Sequence, residues 1–278
     1  MHYSTLISSS ELMNGLDYED LVIIDCRFSL ADTNSGRGSY LVDHIPRAIY
    51  AHLDDDLSGE IRPGETGRHP LPSIEKLTKL FTEWGIDENV QVVVYDDKSG
   101  AIASRLWWML RWLGHEKVAV LNGGWSYWFN KNMPVSGDVP TNKPRKFTPK
   151  VQENWVVDMP YVESIPEHAH LTLVDSRTNE RYLGIKEPID PIAGHIPGAI
   201  NAPHPENVGS DGLLHSPDKL KDRFSTLLGE KSVEDTVFYC GSGVTACANL
   251  LAMEYAGMGS AKLYPGSWSE WITKHNGK

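Results

Sequence analysis

Val237-Phe238-Tyr239-Cys240-Gly241-Ser242-Gly243-Val244-Thr245-Ala246 reads as an apolar strand that stops at a thiol, crosses a turn of small residues and enters a helix. In that arrangement several backbone N–H groups, and the positive end of the helix dipole, are directed at one sulfur atom. Such surroundings stabilise a thiolate and lower its pKa from about 8.5 toward neutrality or below. A buried structural cysteine would have ordinary apolar neighbours instead. The Gly-Ser-Gly turn directly after Cys240 points to a nucleophile.

Outward from this stretch, the chain contains itself twice. Val22-Ile-Ile-Asp25-Cys-Arg27 matches Leu173-Val-Asp175-Ser-Arg177, and Asp43-His44-Ile-Pro-Arg-Ala48 matches Gly194-His195-Ile-Pro-Gly-Ala199. Val92-Val-Val-Tyr95-Asp96 matches Val237-Phe-Tyr239-Cys240, and Asn122-Gly-Gly-Trp125-Ser-Tyr-Trp128 matches Pro265-Gly-Ser-Trp268-Ser-Glu-Trp271. The order is kept with only short insertions, so this is one domain duplicated rather than a solenoid of short repeats.

Each copy alternates apolar runs with amphipathic segments. Residues 171–175, 236–239 and 261–264 are strand-like in the second copy. Ser216-Pro217-Asp218 opens a helix that Gly229 stops, and its counterpart runs from Ser73 to Gly85. The helix after Cys240 spans roughly Val244 to Ala256, and the first copy places Ile102–Leu113 there. Alternating strands and helices predict an α/β fold, each copy a mostly parallel sheet flanked by helices. Sites in such sheets form at the carboxyl ends of strands, where Cys240 stands.

The expected organisation is a first domain over 1–133, a linker over 134–155 and a second domain over 156–278. Residues 134–149 carry four prolines and little apolar pattern, as an extended linker does. Asp96 takes the place of Cys240 in the first copy. One active and one supporting domain follow, with the substrate expected where the two meet.

The 278 residues suffice for two cores, and the net charge of −11 disfavours a nucleic-acid partner. No apolar run reaches the length of a membrane span, and no secretory leader is evident, so a soluble cytoplasmic protein is expected. Cysteines 26, 240 and 247 lack metal-ligand spacing, and the odd count suits a reducing compartment. No metal, nucleotide or flavin motif is present, so no cofactor is expected.

The paired Asp-x-Arg, His-Ile-Pro-x-Ala and Gly-x-Trp-x-x-Trp elements resemble the rhodanese superfamily across nearly the whole chain, as a two-domain sulfurtransferase with an inactive first copy. The loop from Cys240 to Thr245 is similar to that of 3-mercaptopyruvate sulfurtransferases. Thiosulfate-preferring relatives more often place basic residues just after the cysteine. The resemblance implies that Cys240 takes sulfur from a small donor, 3-mercaptopyruvate or thiosulfate, as a persulfide. It then passes the sulfur to cyanide or a thiol, thioredoxin among the candidates. The N–H groups of Gly241, Ser242, Gly243, Val244 and Thr245 would cradle the extra sulfur.

The resemblance also implies a Ser–His–Asp relay that moves the donor's protons. Ser242 and His69 fit the first two members. Asp54 fits the third, with Asp55 one register away. Arg181 matches an arginine that binds the donor carboxylate. Relatives commonly carry a second arginine after Glu-Pro, but here the sequence reads Glu187-Pro188-Ile189. His44, His195, Arg27 and Arg177 occur in both copies and read as scaffold. Cys247 reads as a small buried helix residue in preference to a resolving thiol, and Cys26 as packing. Tyrosine-phosphatase chemistry would need an arginine at position 246, which is Ala. A non-catalytic sulfur-binding module is the alternative of a different class.

Overall fold

Strands rich in Val, Ile, Leu and Tyr with no polar alternation are buried on both faces, the signature of a parallel sheet covered by helices. The computed structural model of the protein describes residues 2–275 and divides them into two units. The first comprises residues up to Ser58, Pro72–Gln152 and Ser210–Leu214. The second comprises Gly59–Leu71, Glu153–Gly209 and the residues from His215 onward.

The first unit contains β1 (Leu6–Ile7), α1 (Ser9–Asn14), β2 (Leu21–Asp25), α2 (Ser35–Val42), β3 (Ala48–Tyr50), α3 (Ile74–Glu83), β4 (Gln91–Tyr95), α4 (Ala103–Trp112), β5 (Val118–Leu121) and α5 (Gly124–Asn130). Its five strands are all parallel, in the order β1-β5-β4-β2-β3. The second contains α6 (Met159–Ser164), β6 (Thr172–Asp175), α7 (Asn179–Tyr182), β7 (Ile200–Asn201), α8 (Pro217–Leu228), β8 (Thr236–Tyr239), α9 (Ala246–Tyr255), β9 (Lys262–Leu263) and α10 (Ser267–His275). Its four strands are parallel in the order β7-β6-β8-β9, the topology of the first sheet without its outermost strand.

The repeat extends to register and side-chain contacts. Asp25 faces Tyr95 across β2 and β4, as Asp175 faces Tyr239 across β6 and β8. Each tyrosine hydroxyl accepts a backbone N–H from the His-Ile-Pro turn, at Ile45 (3.2 Å) and Ile196 (3.1 Å). Each aspartate pairs with the arginine two residues on, through buried bonds. Arg27 lies over the Trp125 ring and Arg177 over that of Trp268. His44 and His195 stack on Tyr40 and Tyr182 and bond their carbonyl oxygens. These paired residues are scaffold.

The caps lie where local chemistry places them. The hydroxyls of Ser73 and Ser216 accept the N–H of Lys76 and Lys219, and Gly229 closes α8 at positive φ. The observed α4 and α9 stop one residue short of the expected ends, with Gly114 and Gly257 at positive φ just beyond.

Of the linker expected over 134–155, residues 134–152 lie against the first unit. His44 and Ser136 exchange backbone hydrogen bonds, Phe147 packs edge-on to Phe81, and Arg145 pairs with Asp20. The segment has little regular structure but many specific anchors. Among the described residues, no helix is long and apolar enough to cross a membrane.

Candidate active site

Cys240 follows the last residue of β8, and α9 begins six residues later with Thr245 as its N-cap. The thiol is 1% exposed. Its backbone is fixed from the far side: the Cys240 N–H donates to Ser267 Oγ (3.1 Å), and its carbonyl accepts from Trp268 N–H (3.0 Å). The Gly241 carbonyl accepts from Ser269 N–H (2.9 Å), so the start of α10 clamps the loop. Gly243 turns the chain at φ 72°, where an added Cβ would stand 2.4 Å from the Pro265 carbonyl oxygen. Only glycine satisfies both conditions. Val244 is buried and Thr245 half-buried at the helix entrance.

His69 reaches this loop on a segment that belongs to the second unit. Gly67 docks where a side chain would collide with the Gly266 carbonyl oxygen and Ser269 Oγ, and Arg68 N–H donates to Ser269 Oγ (3.1 Å). His69 Nδ1 then lies 2.7 Å from Ser242 Oγ, both residues being buried. Two of the predicted relay members are thus hydrogen-bonded, two residues from the thiol. Asp54 belongs to the first unit, in the turn after β3, with its N–H donating to His52 Nδ1 (3.2 Å). Burial raises the Asp54 carboxyl above its ordinary range. Asp55, the alternative in register, is exposed and lies near Arg37 and His52.

Arg181 stands against Gly241, where a Cβ would meet its Nη2 and Nη1 at 3.3 and 3.5 Å. Its guanidinium donates to Glu187 and Asp190. The sequence reading missed Arg68, whose Nη2 is closer still to the same point, at 2.9 Å. Arg68 Nη1 pairs with Asp190. Position 189, after the Glu-Pro, carries an exposed Ile, and the second guanidinium beside Gly241 is Arg68. The only signal in the sequence is the Gly-Arg-His-Pro run, which the repeat assigns to the first copy.

These charges form one alternating chain within the second unit: Asp175, Arg177, Glu187, Arg181, Asp190 and Arg68, each paired with the next. Glu187 is shared by two guanidinia. Burial works to raise its carboxyl, but the bonds from Arg181 and from backbone N–H groups hold it below the usual range. Burial raises Asp190, with Arg68 and Arg181 pulling the other way.

The first copy shows what the loop geometry can hold. Asp96 Oδ1 accepts N–H bonds from Lys98 and Gly100, and its Oδ2 from Ile102 and Ala103, all at 2.7–2.8 Å. A buried carboxylate is thus the permanent occupant of a backbone anion cradle. Cys247 and Cys26 are buried away from solvent, and burial pushes the Cys26 thiol well up. Among the described residues, no group of His, Cys, Asp and Glu could hold a metal ion.

Comparison with known proteins follows from this geometry. The rhodanese-like domain family matches residues 8–131 and again 160–274. A probable 3-mercaptopyruvate sulfurtransferase of Pseudomonas aeruginosa is 42% identical over 98% of this chain and 96% of its own length. Bovine thiosulfate sulfurtransferase is 32% identical over 91% of this chain and 85% of its own. The structure of a 3-mercaptopyruvate sulfurtransferase from Leishmania major superposes with a TM-score of 0.84 at 30% identity, over 98% of this chain and 75% of that one. The chain therefore belongs to the rhodanese family, as a sulfurtransferase built from two rhodanese-like domains.

Proposed function

We propose that this sulfurtransferase moves the sulfur of 3-mercaptopyruvate to a thiol or cyanide through a persulfide on Cys240. The observation that carries the reading is the hydrogen bond between His69 and Ser242 on the loop that holds the nucleophile. A donor whose sulfur is bonded to carbon needs such a group; a donor that releases sulfite does not.

In the first half-reaction the Cys240 thiolate attacks the donor sulfur and an S–S bond forms. The C–S bond breaks with its electron pair passing to carbon, as the enolate of pyruvate. The donor thiol proton is taken up through Ser242 and His69 and returned to the enolate carbon, so the pair ends unchanged. Asp54 is the proposed third member of the relay. The N–H groups of Gly241, Ser242, Gly243, Val244 and Thr245 cradle the outer sulfur, much as N–H groups of the corresponding turn hold the Asp96 carboxylate in the first copy. Arg181 binds the donor carboxylate.

In the second half-reaction an acceptor thiolate, such as that of thioredoxin, attacks the outer sulfur and releases the Cys240 thiolate. Cyanide would leave as thiocyanate. Three cysteines outside any disulfide fit a reducing compartment such as the cytoplasm.

Thiosulfate is the second reading, supported by the identity to the bovine thiosulfate sulfurtransferase. The test is kcat/KM for both donors with a thiol acceptor, and the mass of the protein after donor addition. A gain of one sulfur atom that disappears in Cys240→Ser supports the persulfide. Turnover by Cys240→Ser overturns the mechanism, and a thiosulfate preference overturns the choice of donor.

A further inference from the structure

The two copies differ in a buried polar network as well as in the thiol. In the second unit Asn249, the fourth residue of α9, is fully buried, and every polar atom of its amide is bonded. Its Nδ2 donates to Ser176 Oγ (2.9 Å) and to the Ala202 carbonyl (2.8 Å), and its Oδ1 accepts from Asn207 Nδ2 (2.8 Å). Asn207 Oδ1 accepts in turn from Arg223 Nη1 (2.8 Å), so the chain of donors starts on a charged group. A fully satisfied chain of this kind rigidifies the groups it joins.

In the first copy the matching places are apolar. Leu106 is the fourth residue of α4, and Cys26 follows β2 as Ser176 follows β6. Both are buried, so the same fold closes here on side chains that need no polar partner. Burying amides carries a desolvation cost that an apolar pair avoids. Stability alone does not account for the network.

Its position does. Ser176 N–H donates to the carbonyl of Tyr239 (2.8 Å), the residue before Cys240. Asn249 lies on the helix that the Cys240 loop enters at Thr245. The Asn249–Ser176 bond thus joins the exit of the loop to its entrance, and Ala202 and Asn207 hold the pair from the segment after β7. Apolar contacts have no direction and set the place of a helix less sharply than bonded amides do. From this we infer that Asn249 is a positioning residue of the sulfur transfer. Through Ser176 it fixes the two ends of the Cys240 loop against each other, and so the thiol against the N–H groups proposed to cradle the outer sulfur. The inference rests on the proposal that Cys240 is the nucleophile and not on the choice of donor.

The test is Asn249→Leu, which installs the first copy's residue, assayed with each donor that the wild-type protein turns over. The kcat per folded molecule should fall about 10- to 100-fold, the scale set by a misplacement of up to about 1 Å. The factor should be the same for every donor, with KM changed less than about two-fold. Circular dichroism at the assay temperature gives the folded fraction. An unchanged kcat beside a lowered Tm makes Asn249 purely structural and overturns the inference, as does a loss confined to KM or to one of two donors. If Asn249→Leu does not fold, Ser176→Ala carries the comparison, since it leaves Asn249 bonded to Ala202 and Asn207. The same pattern should then appear at about 3- to 10-fold, and an unchanged kcat again overturns the inference. Turnover by Cys240→Ser removes the nucleophile and this inference together, whereas an inactive Cys240→Ser beside a fully active Asn249→Leu overturns the inference alone.

Discussion

His69 Nδ1 and Ser242 Oγ lie 2.7 Å apart although 173 positions separate them in the chain. If the pair acts as the proposed relay, it should divide donors by their proton requirement. Ser242→Ala or His69→Ala should lower kcat for 3-mercaptopyruvate by about 10²- to 10⁴-fold, the usual worth of a positioned acid–base group. Thiosulfate leaves as sulfite and needs no proton delivered to carbon, so its turnover should change only a few-fold. Steady-state assays with both donors on the same preparations check this, and equal losses with the two donors would count against a relay.

Gly243 is expected to tolerate no side chain. At φ 72°, with the Pro265 carbonyl oxygen 2.4 Å from the added atom, Gly243→Ala must move backbone on one side or the other. Urea denaturation should show a loss of about 1–3 kcal/mol. Sulfur transfer should fall further than stability does, because the same loop holds Cys240.

Asp96 is expected to matter for stability and little for turnover. Asp96→Ala leaves four backbone N–H groups without their carboxylate, those of Gly100, Ile102 and Ala103 buried and that of Lys98 part-buried. A loss on the order of 2–4 kcal/mol should follow, with kcat per folded molecule near wild type. A large fall in kcat at full folding would show that the first copy takes part in chemistry.

Acid should begin to destabilise the protein below about pH 6.5. Burial of His115 lowers its pKa from 6.5 to about 4. Between those values the unfolded chain binds a proton that the native state does not, so stability falls as pH falls through this window and is fully present above 6.5. The contribution is a few kcal/mol at most, on the order of the shift itself. Thermal melts from pH 7 to 4 should lose part of their pH dependence in His115→Gln, once its lower starting stability is subtracted; His204, which burial also lowers to about 4, supplies a second share.

Much of the fold could be read from the chain, because duplicated motifs report the same packing twice. Asp25 with Arg27 and Asp175 with Arg177 are scaffold pairs that the sequence displays as a repeat. Cys240 stands out in the sequence as a thiol beside a Gly-Ser-Gly turn, whereas Ser242 and His69 were singled out by the family resemblance, and the structure brings those two within hydrogen-bond distance. Arg68 was not legible, since its neighbour in space is Gly241 and nothing local in Gly67-Arg68-His69 announces that docking. Its cause is steric, the absence of a side chain on Gly67 against Gly266. The anchors of residues 134–152 were not legible either, as proline-rich composition says nothing of contacts such as Arg145 on Asp20.

Asp96 can also be read in the language of ligand titration. A side chain tethered a few bonds from its cradle has an effective concentration that free anions in solution do not reach. The first cradle is therefore saturated under all conditions in which the protein is folded, and added anions cannot stabilise it further. With the Cys240 loop as the proposed second cradle, the occupied first one leaves a single site to fill, and an anion-dependent melting shift should fit a stoichiometry of one.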